Sequence, residues 1–212
     1  MAYSVKEIYF TLQGEGAQTG RAAVFCRFSG CNLWTGREED RAGAQCNFCD
    51  TDFVGTDGLG GGVFDTALAL ATAVKAAWPA GGEGARPLVV CTGGEPLLQL
   101  DEKLTAAFHE AGFEIAVETN GTLAAPDGID WLTVSPKAGA SLVQGSSDEL
   151  KLVFPQVDLD PESLAGFETS LFFLQPMDGP DKQRNTERAL AYCRAHPRWR
   201  LSLQIHKLLG IA

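Results

Sequence analysis

Residues 88–118, LVVCTGGEPLLQLDEKLTAAFHEAGFEIAVE, set the fold class. The opening Leu88-Val89-Val90-Cys91 is short and apolar throughout, as expected for a strand covered on both faces. It stops at Thr92-Gly93-Gly94-Glu95-Pro96. Over 101–111 the apolar period becomes helical, with Leu104, Ala107, Phe108 and Ala111 on one side. FEIAVE at 113–118 returns to a strand and stops at Thr119-Asn120-Gly121-Thr122. Strand, helix and strand in that order predict a parallel α/β sheet.

The same pattern extends outward. Downstream, strands are predicted at 131–135 (WLTVS), 149–154 (ELKLVF), 170–175 (SLFFLQ) and 200–205 (RLSLQI), with a short helical piece near 160–167 and a helix over about 186–195. Upstream, VKEIYF at 5–10 and AAVFCRF at 22–28 read as strands. A flexible GLGGG at 58–62 leads into a helix whose apolar face is Phe64, Ala67, Ala71, Val74 and Trp78, with Asp65 near its start and Pro79 at its stop. The connections after Glu118 and Ser135 are only about a dozen residues long, marginal for a crossover helix. The expected architecture is therefore α/β: a partial parallel barrel with few crossover helices, one domain over 1–212, with no internal repeat or linker.

The length suits one domain with a sizeable core. Seventeen Lys and Arg against 27 Asp and Glu give a net charge of −10. That balance argues against a broad nucleic-acid surface or attraction to anionic lipid. The start, MAYSVKEIYF, lacks a basic end followed by an apolar run, and no stretch approaches bilayer length. A cytoplasmic location with six reduced cysteines is expected.

Three of those cysteines are spaced for a metal. In residues 31–52, CNLWTGREEDRAGAQCNFCDTD, Cys31 is followed after fourteen residues by the close pair Cys46 and Cys49. Thiolates so placed favour zinc or an iron–sulfur cluster. A closed zinc site needs a fourth protein ligand, which would be His109, His196 or His206 from outside the loop. A four-iron cluster on three cysteines leaves one iron open. The loop alone leaves both readings open. Cys26, Cys91 and Cys193 lie on apolar faces and read as core.

Ligands of parallel α/β folds bind beyond the carboxyl ends of the strands. Those ends are the cysteine loop, Thr92 to Pro96, Glu118 to Gly121, Ser135-Pro136-Lys137 and Gln175-Pro176-Met177-Asp178. Gly93-Gly94 admits close backbone approach, Glu95 suits an ammonium, Arg27 and Lys137 suit carboxylates, and Thr51 places a hydroxyl beside the last loop cysteine. Five such ends on one rim predict a site.

Together these residues resemble the radical S-adenosylmethionine enzymes. Their signature is Cys-x3-Cys-x-aromatic-Cys; here Cys46-Asn47-Phe48-Cys49 supplies the aromatic, and Gly93-Gly94-Glu95-Pro96 resembles the motif that holds the methionine amino group. The long first spacing is similar to the expanded cluster loop of some 7-carboxy-7-deazaguanine synthases. TLQGEG at 11–16, FCRFSGCNLW at 25–34, CDTDFVGTDG at 49–58, VCTGGEP at 90–96, ETNG at 118–121, VSPKA at 134–138, QPMDGP at 175–180 and the terminal IHK resemble that family along nearly the whole chain.

The resemblance implies a modified radical S-adenosylmethionine core and a [4Fe-4S] cluster on Cys31, Cys46 and Cys49. It implies S-adenosylmethionine on Gly94, Glu95, Ser135, Pro136, Lys137, Gln175, Pro176, Met177 and Asp178, and Mg2+ on Thr51. The implied substrate is a carboxylated pterin, 6-carboxy-5,6,7,8-tetrahydropterin, on Leu12, Gln13, Gly14, Arg27, Thr92 and Ala212, with Glu15 and Glu118 as weaker candidates. Ring contraction with loss of ammonia would give 7-carboxy-7-deazaguanine, a queuosine precursor. The radical is the cofactor's, so no side chain is expected to be catalytic. A flavodoxin or ferredoxin reductant and a homodimer are also implied. The tail LLGIA departs from members that end in proline, and Ala212 is expected to keep the carboxylate contact without the ring. Two other readings compete: another radical enzyme, such as a glycyl-radical activase, and a non-enzymatic zinc-organised module.

Overall fold

A computed structural model describes residues 2–79, 84 and 86–211. In chain order the strands are β1 (Tyr3–Leu12), β2 (Ala22–Phe28), β3 (Gly62–Phe64), β4 (Leu88–Gly93), β5 (Glu114–Thr119), β6 (Trp131–Val134), β7 (Ser146–Phe154), β8 (Glu168–Pro176) and β9 (Trp199–Leu201). The helices are α1 (Ala67–Ala77), α2 (Glu102–Glu110), α3 (Lys182–Ala195) and α4 (Ile205–Leu209). All nine strands form one sheet, in the order β3-β1-β2-β4-β5-β6-β7-β8-β9. From β2 onward neighbours run parallel; β1 pairs antiparallel with both β2 and β3. The α/β class holds, and no helix interrupts β5 to β6 or β6 to β7.

Period-two alternation divides the sheet into two chemically different faces. Val24, Cys26 and Phe28 of β2, Val89 and Cys91 of β4, Ile115 and Val117 of β5, and Leu132 and Val134 of β6 pack in one cluster. It also contains Leu70, Ala71 and Val74 of α1 and Leu104, Ala107 and Phe108 of α2. Leu150, Leu152, Phe172, Leu174 and Trp199 continue it beneath Ala189 of α3. Phe108 is fully buried there, and burial of such a side chain stabilises by roughly 1.5–3 kcal/mol. The intervening residues, including Arg27, Thr92, Glu118, Lys151 and Gln175, face the other way. A smaller apolar set, Ala23, Leu88, Val90 and Ala116, floors that second face.

Several boundaries differ from the sequence reading. Phe64 belongs to β3, which pairs with β1, so it is not the first turn of α1. Thr66 caps α1, its hydroxyl accepting from the Ala69 amide at 3.1 Å, and Asp65 lies just before it, near the helix start as read from the sequence. The piece near 160–167 is a single 3-10 turn, Pro161–Leu164, and α3 begins at Lys182, before residue 186. RLSLQI is a strand only as far as Leu201. Beyond Ser202 the tail turns into α4, because its polar groups find partners on the turn after β1: the Ile205 amide donates to the Gly14 carbonyl at 3.0 Å. Among the described residues no helix is long and apolar enough to cross a membrane.

Candidate active site

A cavity of about 550 Å³ opens on the polar face at the carboxyl ends of the strands. Its wall includes Cys31, Cys46, Cys49, Thr51, Leu12, Gln13, Gly14, Arg27, Thr92, Gly94, Ser135, Lys137, Gln175, Pro176, Met177 and Asp178. The sequence-predicted residues are thus brought together with three exceptions. Glu95 and Pro136 are buried and do not line the cavity, and Ala212 lies outside the described residues.

The cysteine loop is a packed unit. Its charged insert forms a 3-10 turn, Glu38–Gly43. The Arg41 guanidinium lies over the Trp34 ring, 4.1 Å from its centroid, and donates to the carbonyls of Asn47 and Cys49, each at 3.0 Å. Glu38 grips the same guanidinium. Arg41 therefore ties the insert to the Cys-x-x-Cys turn. Arg41→Ala is expected to speed iron loss to a chelator several-fold while the helical and strand content stays unchanged. Chelator-transfer kinetics with circular dichroism checks it, and wild-type iron retention would show that the clamp is dispensable.

The thiols differ in character. A hydrogen bond between Cys46 and Cys49 holds the Cys49 thiol down to about 6 and pushes Cys46 up. Burial pushes Cys31 up, and its sulfur accepts from the Leu33 amide at 3.4 Å. No three His, Cys, Asp or Glu among the described residues close on a single-ion position. His109 pairs with Asp130 and His196 stacks on Tyr192, so neither completes a Cys3His clip. Three thiols around one cavity fit a cluster, which takes one thiolate per iron. Cys26 and Cys91 are buried neighbours across β2 and β4, and Cys193 packs beneath β7 and β8, as read from the sequence.

The strand ends are fixed by their own contacts. Gly94 approaches the loop so closely that a Cβ there would lie 2.0 Å from the Gly30 carbonyl oxygen and 2.9 Å from the Cys31 Cβ. Glu95 is fully buried; its carboxylate accepts from the Thr119 hydroxyl and Asn120 amide at 2.8 Å and from the Leu97 amide at 3.0 Å. Burial pushes that carboxyl up. Lys137 donates to the carbonyl and hydroxyl of Ser135, and burial pulls its ammonium down. Arg27 is held by Glu7 at 2.8 Å and by the Tyr9 hydroxyl at 2.9 Å. Its strand neighbour is Thr92.

No protein-family model matches the chain. It is 64% identical over 211 residues to a 7-carboxy-7-deazaguanine synthase of Caulobacter vibrioides, and 64% identical over 211 residues to one of Bordetella pertussis, covering 100% of each chain in both cases. This chain belongs to the 7-carboxy-7-deazaguanine synthase family. Among solved structures, QueE from Escherichia coli superposes with a TM-score of 0.69 at 28% identity, covering 96% of this chain and 94% of that one.

Membership in the synthase family brings S-adenosylmethionine and an iron–sulfur cluster, consistent with the loop. The cavity also holds residues to which the sequence reading gave no role: Glu7, Tyr9, Lys151 and Gln204. Lys151 carried a usable signal. In ELKLVF, Glu149 and Lys151 alternate with Leu150 and Leu152, which in a strand puts both charges on the face away from the helices. The terminal IHK was legible only as a family-like run, since only folding brings His206 against Gly14, where a Cβ would lie 2.4 Å from its Nδ1. Glu15 and Glu118, the weaker sequence candidates, both line the cavity.

Proposed function

We propose that this chain, working as one domain, is the radical S-adenosylmethionine synthase that contracts 6-carboxy-5,6,7,8-tetrahydropterin to 7-carboxy-7-deazaguanine with release of ammonia, on the route to queuosine and related 7-deazapurines. The observation that carries this is the convergence of the three loop cysteines and the Thr92-Gly93-Gly94 strand end on one cavity, in a chain matched end to end by synthases. Cys31, Cys46 and Cys49 would hold the [4Fe-4S] cluster. Gly94, Glu95, Ser135 to Lys137 and Gln175 to Asp178 would hold S-adenosylmethionine. Bound there, the two supply one-electron, radical-forming chemistry.

The protein's own part is to bind, orient and exclude water. The turn Leu12-Gln13-Gly14 presents a rigid wall to the heterocycle, pinned by Gln13 to Arg21 and Gly14 to Ile205. Arg27, oriented in advance by Glu7 and Tyr9, takes the substrate carboxylate as a paired contact, with Thr92 beside it. Thr51 offers Mg2+ an oxygen ligand of the hard type it prefers, shared with the substrate carboxylate. Glu95 already accepts two hydrogen bonds on Oε1 and one on Oε2, which leaves acceptor capacity on Oε2 for the methionine amino group. A flavodoxin or ferredoxin reductant and a homodimer complete the proposal.

The test is anaerobic turnover by reconstituted protein with reductant, magnesium and the tetrahydropterin, read by product mass. Arg27→Ala is expected to weaken pterin binding by about 1.5–3 kcal/mol, the worth of a charged hydrogen bond, and to leave S-adenosylmethionine affinity unchanged. A wild type that binds S-adenosylmethionine but no pterin would overturn the proposal.

A further inference from the structure

The cavity wall contains a charge cluster built on Lys151, Glu15 and Glu118, none of them assigned above to the iron–sulfur cluster or to S-adenosylmethionine. Lys151 stands in the middle of β7 with its side chain only 4% exposed. Its ammonium lies 2.6 Å from Glu15 and 3.4 Å from Glu118. The second Glu15 oxygen accepts from the Gln204 amide at 3.0 Å, and the second Glu118 oxygen accepts from the Gln13 amide at 2.9 Å. Each carboxylate thus has one oxygen on the lysine and one on a side-chain amide. Glu149, two residues before Lys151 on the same face, accepts from the Ala17 amide at 2.8 Å and from the Thr133 hydroxyl at 3.1 Å.

Burying such a group of charges costs several kcal/mol per ion, and apolar replacement is often neutral or stabilising. The cluster is therefore poorly explained by stability. Its position is informative: Glu15 and Glu118 both line the cavity, with Lys151 between them. Arg27, the cation suited to the substrate carboxylate, lies on β2, separated from Lys151 on β7 by β4, β5 and β6. Toward β2 the wall thus carries an arginine paired with Glu7, and toward β7 it carries a lysine outnumbered by carboxylates, a net acidic side. Ionised carboxylates accept hydrogen bonds and cannot donate, so the acidic side matches a ligand edge rich in N–H donors.

We propose that Lys151 is a positioning residue that holds Glu15 and Glu118 aimed at the N–H edge of the 2-aminopyrimidinone ring of a pterin-class substrate. This rests on the function proposed above. The lysine's effect on its partners supports it: although burial opposes ionisation, Lys151 with Gln204 and Gln175 holds Glu15 down to about 2. The three carboxylates in turn hold the Lys151 ammonium charged against its own burial. The other cation facing Lys151 is Lys137, at the end of β6. Without Lys151, Glu15, Glu118 and Glu149 would repel one another in a buried space, and burial would push the Glu15 acid up. A protonated carboxyl loses acceptor capacity, so affinity would then fall as pH falls.

The experiment measures binding of 6-carboxypterin, an oxidised analogue, in the absence of S-adenosylmethionine and reductant, to reconstituted wild type, Lys151→Met and Lys151→Arg from about pH 5.5 to 8.5, a range above the ordinary Glu value. S-adenosylmethionine affinity and iron content are read in parallel. Wild type sets the reference profile, because His206 lines the same cavity in every variant, and each variant is read against it. Lys151→Met should bind roughly tenfold more weakly at neutral pH, the scale of one lost charged contact, and weaker still toward acid, with S-adenosylmethionine affinity and iron unchanged. Lys151→Arg should recover most of the loss. Wild-type affinity and the wild-type profile in Lys151→Met would overturn the inference, as would equal loss of S-adenosylmethionine, which marks a merely structural lysine. If Lys151→Met does not fold, Glu15→Gln decides: weakened pterin binding supports the inference and unchanged binding overturns it. A wild type that binds no pterin overturns the proposed function itself, whereas pterin binding indifferent to these substitutions overturns only the role of Lys151.

Discussion

Protein carrying Cys31→Ala, Cys46→Ala or Cys49→Ala is expected to retain essentially no iron or sulfide after anaerobic reconstitution, whereas Cys91→Ala and Cys193→Ala keep the wild-type complement. The reason is coordination. Each loop thiol lines the cavity and would serve a different iron, so no neighbour can take its place. Among the described histidines only His206 reaches this cavity, and it forms no three-ligand group with the cysteines. Cys91 and Cys193 instead sit among apolar side chains on the opposite face of the sheet. Replacing buried Cys91 removes only packing, and any loss should appear as a lower Tm and not as lost cluster. Iron and sulfide analysis with visible absorption reads the outcome. An empty site in Cys91→Ala beside a loaded Cys31→Ala would reverse the assignment.

Gly94→Ala is expected to be nearly as damaging, although the glycine is no ligand to the metal. The strand end and the loop meet backbone to backbone at this point: the Gly94 amide donates to Phe28 at 3.3 Å and the Glu95 amide to Gly30 at 2.9 Å. A methyl group at 94 would occupy the space of the Gly30 carbonyl oxygen and press on Cys31. Overpacking of this kind costs about 1–3 kcal/mol, and here the relief is movement of a cluster ligand. We expect at least roughly a tenfold loss of S-adenosylmethionine affinity, equal to about 1.4 kcal/mol, together with poor cluster retention. Gly43→Ala, in the same loop region but with open space around its Cβ, is the matched control and should behave as wild type. Equal behaviour of the two variants would show that the close approach has no functional weight.

The sequence by itself determined the α/β class, because a sheet buried on its helix face must alternate with period two and its helices with 3.6, and both periods are written in 88–118. It also determined the cysteine loop and the strand-end motifs, since each is a local run whose spacing survives without knowledge of the fold. Boundaries set by distant partners were not legible. Phe64 reads as helical until β1 is there to pair with it, and 202–205 reads as strand until the Gly14 carbonyl claims the Ile205 amide. The same holds for function. Glu15, Glu118 and Lys151 are scattered charges along the chain, each more often a solvated side chain than part of a site. Only the sheet, by placing β5 and β7 side by side with β6 and bringing the turn after β1 across to them, puts two carboxylates on one buried ammonium. Local motifs are fixed by covalent spacing; a charge cluster assembled from remote strands exists only where burial removes the water that would otherwise separate its members.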